Sequence, residues 1–379
     1  MILRSATVAL VVTSALAISG CTSPDPASPS PTERTITWER VALPEGVSAV
    51  TLASTPEDVI VGAVGAGRTR PRLLKGPDPE SLTQIPLSPG SPYAYEARWF
   101  QIATHEDRID AIGGARGGAH GNYRWSTWTG SGASVAEQEQ PFGVFGSYGA
   151  GDLAGVAYAG GSPVILGAWQ SESTGQDIAT WSRSGDRWAR LPSTGTPLGS
   201  TADELLSATA IASHGTGLVL TGSVTHLDPG AVTVSPAVWL SPGPTGPWTR
   251  VDLPRTGGAG TSEVHAATCH TECLLTGVTD GRLSVWQAGG ESPGELSGIP
   301  AVRVDENARV LAPVGPAGSE ILVVPQDRSS AVLFRDGDAW QRGRGPTGMP
   351  VSAVAHGDEL WVVTTDDAGA GTLWRARVA

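Results

Sequence analysis

Lysine is all but absent from this chain. Lys75 is the only one in 379 residues, arginine carries the rest of the positive charge, and the formal net charge is −12. A nucleic-acid partner normally leaves a basic patch or stripe in the sequence; none occurs, and such a partner is disfavoured. An acidic surface also keeps a domain from lying flat on anionic lipid. Long 3.6-period segments are missing too, which argues against a helical fold. The best helical candidate, residues 202–212, is read as a strand because of its place in a repeat. No Gly-x-Ser-x-Gly nucleophile elbow is read, the string itself occurring once, at 290–294, and Walker, His-Glu-x-x-His and EF-hand motifs are absent, so the sequence assigns no catalytic residue, no metal and no cofactor. Cysteine is scarce, with Cys21, Cys269 and Cys273 only.

One uncharged apolar run stands out, residues 5–18 behind Arg4. It is shorter than the roughly 20 residues a spanning helix needs and has the length of a signal-peptide core. It leads into Ile18-Ser19-Gly20-Cys21. This resembles the lipobox of bacterial lipoproteins and implies that residues 1–20 are a signal peptide and that Cys21 is lipidated. Two or three acyl chains exceed the threshold for stable anchoring. The expected location is the cell membrane, lipid-anchored, on its extracytoplasmic face. Residues 21–35 are rich in proline and serine and read as a disordered tether, because they bury too little apolar area to offset their ordering entropy.

With Cys21 lipidated, Cys269 and Cys273 remain as an even pair in an oxidising compartment. They bracket a three-residue turn between two apolar runs, which favours a disulfide. His265 and His270 lie nearby. A tetrahedral site would need four converging ligands, and strand alternation sends neighbouring side chains to opposite faces, so a metal is the weaker reading.

Residues 36–379 repeat. Apolar second strands begin near 59, 108, 164, 218, 274, 321 and 360. Each is followed by a third strand, often with a tryptophan, and by a short fourth strand running into proline. Seven units of four strands at about 40–55 residues match the blades of a β-propeller. The seventh unit ends after its third strand, and its missing fourth appears at 35–44, where TITWERVALP shares the signature of PWTRVDLP at 247–254. The predicted fold is an all-β, seven-bladed β-propeller of four-stranded blades, closed by the N-terminal strand pairing with the C-terminal blade. Glycines 62, 167, 222 and 277 recur at one second-strand position and are expected to let neighbouring blades approach. Trp125, Trp181, Trp239, Trp286 and Trp374 are expected to recur as third-strand packing residues, and Trp38, Trp188, Trp248 and Trp340 to open the fourth strands.

The turns at 182–188 and 335–340 resemble the Asp-box turns of sialidase-like (BNR) propellers, in which Ser/Thr, Asp, Gly and an aromatic residue pin an outer hairpin. The copies here are shortened, and the one at 241–248 lacks the aspartate. The resemblance implies fold rather than activity. Sialidases place a catalytic tyrosine late in the chain. Here Tyr93, Tyr95, Tyr123, Tyr148 and Tyr158 all come early, so that family's catalytic set is not carried over.

Candidate binding residues follow from position in the repeat. Glu96, Asp203, Glu204 and Glu263 lie near first-strand starts, where side chains can line a central channel. Residues 141–151, with Phe142, Phe145 and Tyr148, form an aromatic, glycine-rich loop between blades. The favoured function is a non-catalytic binding or scaffolding module for a protein or a cell-envelope glycan. The alternative is a glycan-active hydrolase or lyase, which requires two carboxylates about 5–10 Å apart at the channel mouth.

Overall fold

The computed structural model describes residues 33–378 apart from 68, 118–120, 256–259 and 291. The signal peptide, Cys21 and the tether through residue 32 lie outside the described residues. Seven β-sheets, taken in chain order, make the seven blades of a propeller. Blade 1 opens at Ser48–Ser54, blade 2 at Arg98–His105, blade 3 at Ala150–Ala159, blade 4 at Glu204–His214 and blade 5 at Ser262–Cys269. Blade 6 is built on Ile321–Gln326, Ser329–Asp336 and Ala339–Arg344, and blade 7 on Met349–His356, Glu359–Thr365 and Gly371–Arg377. The segment at 202–212 falls in the strand Glu204–His214 from residue 204 onward, as its slot in blade 4 requires.

Glu39–Val41 supplies the outermost strand of blade 7, antiparallel to Gly371–Arg377, with Glu39 opposite Arg375 and Val41 opposite Leu373. Residues 39–41 and 371–377 are therefore neighbours in one sheet, and the ring closes. A second attachment precedes it. Glu33–Arg34 runs parallel to Ala339–Arg344 and becomes the outer strand of blade 6. The expected tether boundary at residue 35 thus falls late, because residues 33 and 34 already pair with the ring. Ile36 and Trp38 pack on the core between blades 6 and 7, and the Trp38 indole donates to the Arg344 carbonyl at 2.9 Å.

Two blades depart from four regular strands. Blade 2 gains a fifth, Leu87–Ser88, parallel to Val135–Glu137. Blade 6 has no inner ladder; only Val314 bridges to Ile321. Pro313 and Pro316 lack the N–H groups that a ladder needs. Side chains of blade 5 hold this segment instead. His265 Nδ1 accepts from the Val310 N–H at 3.0 Å, and the Thr276 hydroxyl donates to the Leu311 carbonyl at 2.8 Å.

The other six inner strands each carry a one-residue bulge at a matching place, with the extra residues Val50, Phe100, Ala154, Thr209, His265 and Val351, and that of blade 3 has a second register shift between Ala150 and Leu153. A bulge re-aims side chains and increases local twist. It also accounts for the recurring glycines, and their role differs from the expected one. A Cβ on Gly222 would sit 1.9 Å from the Ser207 carbonyl oxygen, and one on Gly277 2.0 Å from that of Glu263. The close approach is made by the bulged inner strand of the same blade. At Gly62 alone of the four does the next blade come close, through Ile102.

Trp181, Trp239 and Trp286 are buried between blades. Their indoles donate to the carbonyls of Val144, Pro197 and Pro254 in the connectors that lead into their own blades. Each ring thus fills the core while its one polar atom is satisfied. In blade 2 this position belongs to Trp128, paired with Ala111 and fully buried. Trp125 does not share it. An offset of three residues puts the two rings on opposite faces of the strand. Trp128 packs in the cluster with Trp99, whereas Trp125 packs against the cluster that contains Trp181. The sulfurs of Cys269 and Cys273 are 2.03 Å apart, disulfide distance, across the turn that joins the first two strands of blade 5.

Candidate functional site

An axial cavity of about 420 Å³ runs between the inner strands, and all seven blades contribute to its wall. Apart from Gln101 its lining is small, apolar or hydroxylated, with residues such as Ala157, Ala212, Ala267 and Ser352, and it includes no carboxylate. At the end where the inner strands begin, the cavity opens past Phe100 and Val351 into a larger basin of about 1080 Å³. Both collar residues are bulge residues, and both are exposed large apolar side chains, at 44% and 41%. The bulges are what turn them toward the axis.

The basin lies over blades 2 and 3 because their hairpins rise higher there. The second and third strands of blade 2 pair over ten residue pairs, from Asn122–Gly117 to Ser131–Arg108, whereas those of blade 1 pair over six. The added height carries Arg116, Asn122, Tyr123 and Arg124, with Trp125 at its foot. Gly114 makes room for them, since a Cβ there would lie 2.3 Å from the Arg124 carbonyl oxygen and 2.6 Å from the Tyr123 ring. Tyr123 donates its hydroxyl to the Gly114 carbonyl at 3.0 Å. Its ring meets Trp125 edge-on at 4.5 Å, and Trp125 meets Phe100 edge-on at 5.6 Å. The three rings form a platform that descends toward the axis. Opposite them lie Gly151, Asp152 and Gln176 of blade 3, with Arg309 reaching in from the irregular segment of blade 6.

On this acidic protein the basin is lined by three arginines, Arg116, Arg124 and Arg309, and by one acidic residue, Asp152. None of the three makes a salt bridge among the described residues. Arg309 donates to the Thr209 carbonyl at 3.1 Å, and Arg116 to that of Gly121 at 3.5 Å. The Arg124 guanidinium lies 4.5 Å from the centre of the Phe142 ring. Burial pushes the Tyr123 phenol above its ordinary pKa, against the pull of Arg98 and Arg116, so it is neutral at physiological pH.

The candidate residues from the sequence divide between this basin and its surroundings. Phe145 lines the basin wall and packs on Trp181 at 5.6 Å. Phe142 is 61% exposed and carries Arg124, and Tyr148 is fully exposed on the same loop. The four carboxylates line neither the basin nor the axial cavity. Glu96 follows the short helix Pro92–Tyr95. The Asp203 carbonyl accepts from the Leu227 N–H. Glu204 is held by Arg250 at 2.7 Å, which keeps its carboxyl below the usual range. Glu263 lies 3.5 Å from His265, and that contact lowers its carboxyl in the same way. The two carboxylates thus serve separate local partners. Among the described residues, no group of three or more His, Cys, Asp or Glu is placed to hold a metal.

No protein-family model matches the chain, and no curated protein matches it. Solved structures do. It resembles YCF48 from Cyanidioschyzon merolae, with 14% identity, 90% of this chain and 98% of that one covered, and a TM-score of 0.49. It also resembles the β-propeller domain of the Trilobed protease from Pyrococcus furiosus, described as having an open velcro topology. There the identity is 8%, the coverage 88% and 96%, and the TM-score 0.52. At such identity the likeness is one of fold.

Proposed function

We propose that this chain is a binding or scaffolding lipoprotein, anchored through Cys21 on the extracytoplasmic face of the cell membrane, whose propeller presents its basin face to a component of the cell envelope, a protein or a glycan. The observation that carries the reading is the basin itself, a large opening walled by aromatic rings and arginines and holding one carboxylate. Glycosidic hydrolysis by the general route uses a pair of carboxylates, and the basin's chemistry is that of holding rather than cleaving. The sequence of Arg4, the apolar run and Ile18-Ser19-Gly20-Cys21 supports the anchoring part.

Two measurements test the two halves. Metabolic labelling with an alkyne fatty acid is expected to mark the wild-type chain in the membrane fraction and to leave Cys21→Ser unlabelled; equal labelling of both would end the lipoprotein reading. Isolated envelope fractions are expected to co-sediment the chain from residue 22 onward without turnover of glycan. Failure to sediment with any envelope fraction, or release of reducing ends, would end the binding reading.

A further inference from the structure

We propose that the inner segment of blade 6 is held by an acid-sensitive latch. His265 of blade 5 grips the backbone at Val310 only while its ring is neutral, and protonation of that ring frees the end of the segment that carries Arg309 into the basin. The latch belongs to the frame beneath the basin and works whatever the basin holds.

In the other six blades a backbone ladder fixes the inner strand to the second strand. Peptide groups do not titrate, so those six attachments are indifferent to pH. Blade 6 has only the Val314–Ile321 bridge, and side chains of blade 5 do the holding instead. The carbonyls of Leu311, Pro313 and Gly315 accept from Thr276 at 2.8 Å, from Thr268 and from His270 Nε2 at 3.2 Å. The two hydroxyls donate at any pH, and the His270 ring still donates from Nε2 when it is charged. The contact at Val310 has the opposite polarity. There the backbone N–H donates to His265 Nδ1 at 3.0 Å. That nitrogen accepts only when it carries no proton, so the neutral ring keeps its hydrogen on Nε2, which lies 3.5 Å from Glu263. A proton added at Nδ1 sets two N–H groups against each other.

The direction of the switch follows from the groups that differ between the held and the freed segment, since only a difference in interaction can shift an equilibrium. Glu263 favours a charged ring, but it stands on the same strand as His265 and is present in both states. Its carboxyl is held below the usual range by that contact and stays ionised in mild acid. Blade 4 brings uncharged groups, the Ser223 hydroxyl 3.4 Å from Glu263 and the Thr209 carbonyl 3.1 Å from Arg309. The Val310 N–H and the Arg309 guanidinium come with the segment itself, and both oppose a proton on the ring. The grip is therefore complete while the ring is neutral and is lost as pH falls through the imidazole range. The Val310 side chain is buried in the cluster around Leu274 and Leu322, so the segment stays docked and the Arg309 end is what loosens. Arg309 lines the basin, and Leu311 and Ala312 line the axial cavity. The latch thus sets where one of the basin's three arginines stands.

The test is amide hydrogen exchange of the chain from residue 22 onward, read by mass spectrometry on peptides covering 305–312. It is run at pH 8 and pH 5, the limits between which an unperturbed imidazole changes charge, and corrected for the intrinsic effect of pH on exchange. Wild-type protection is expected to fall on the order of tenfold in acid, as for loss of one hydrogen bond, while the second strand of blade 6 is unchanged. In His265→Asn the amide oxygen takes the place of Nδ1 and cannot titrate, so protection is expected to be equal at the two pH values. His265→Leu is expected to be poorly protected at both. Histidine-labelled NMR supplies a check that needs no variant: the His265 ring and the exchange of 305–312 are expected to share one titration midpoint. Wild-type protection that does not change in acid, an acid response retained in His265→Asn, or separate midpoints for ring and segment would overturn the proposal.

Discussion

Blades 2 to 4 and blades 5 to 7 share one frame and differ above it. In the first group the central hairpins are long, up to twelve and eleven residues in blade 4; in the second the same strands have six to eight. The buried layer is nonetheless the same. Ile165 with Trp181, Leu220 with Trp239 and Leu275 with Trp286 face each other at corresponding register in blades 3, 4 and 5. The extra residues therefore add nothing to the ring core. They raise a wall on one side of the basin face, and the aromatic and cationic side chains stand on that wall. The low blades carry the other specialisation, the seam. Blade 6 has only the Val314–Ile321 bridge on its inner side and blade 7 lacks an outer strand of its own, and the N-terminal segment supplies an outer strand to each, Glu33–Arg34 to blade 6 and Glu39–Val41 to blade 7.

The comparison is sharpened by breaking each half. Removing residues 33–41 should have the largest effect. It strips two edge strands and uncovers the apolar cluster around Leu373 and Val363, at a cost of at least about 5 kcal/mol from lost burial and backbone hydrogen bonds. Thermal unfolding followed by circular dichroism is expected to show a truncated chain that is unfolded or melts far below the full one. Next comes the contrast between frame and wall. Trp239→Ala removes a fully buried ring and should cost about 3–5 kcal/mol, whereas Trp125→Ala, half-buried on the wall, should cost about 1 kcal/mol. Similar denaturant midpoints for the two variants would contradict the division.

The bulged inner strands predict a smaller contrast. Gly222→Ala forces a methyl group into the Ser207 carbonyl and should cost about 2 kcal/mol. Gly294→Ala, at an open outer edge of blade 5, should change stability by less than about 0.5 kcal/mol. The smallest effect is acid dependence at Glu204. Its carboxyl is held below the ordinary value of 4.5 by Arg250. The stabilisation is therefore complete above that value and is lost as pH falls through the lower, folded-state pKa. Glu204→Gln should melt slightly below wild type at pH 7 and show a shallower fall in melting temperature below pH 4.5. The pair is partly exposed, so the difference is small.

The ring was legible in the sequence because its core repeats. Second-strand starts fall 56, 54 and 56 residues apart from position 108 to 274, and 49, 47 and 39 elsewhere. Those longer intervals already mark the tall blades. Closure was legible because a fourth-strand signature preceded the first unit. The site was not, since its residues break the repeat rather than follow it. Trp125 was grouped with the packing tryptophans although Trp128, three residues on, fills that position. Alternation along the strand separates the two rings, and that spacing is the signal that distinguishes them. Arg116, Arg124 and Arg309 carry no local pattern at all; the last comes from blade 6 and reaches the basin only because the ring curves. The carboxylates chosen for their place at first-strand starts stand outside both cavities, because a strand start fixes height along the axis but not which way a side chain turns. Gly167, Gly222 and Gly277 share one position and were explained by the wrong neighbour, because an inner-strand bulge leaves no trace in composition, whereas Gly62 lies one register step away and does face the next blade.

The central claim is that the N-terminal strand closes the ring, and a cross-link tests it most directly. Glu39 and Arg375 are register partners. In the chain from residue 22 onward, Glu39→Cys with Arg375→Cys is expected to oxidise to a single disulfide that holds the two terminal peptides together after proteolysis without reductant. Two free thiols at these positions, in a protein that still melts cooperatively, would contradict the closure and the seven-bladed ring built on it.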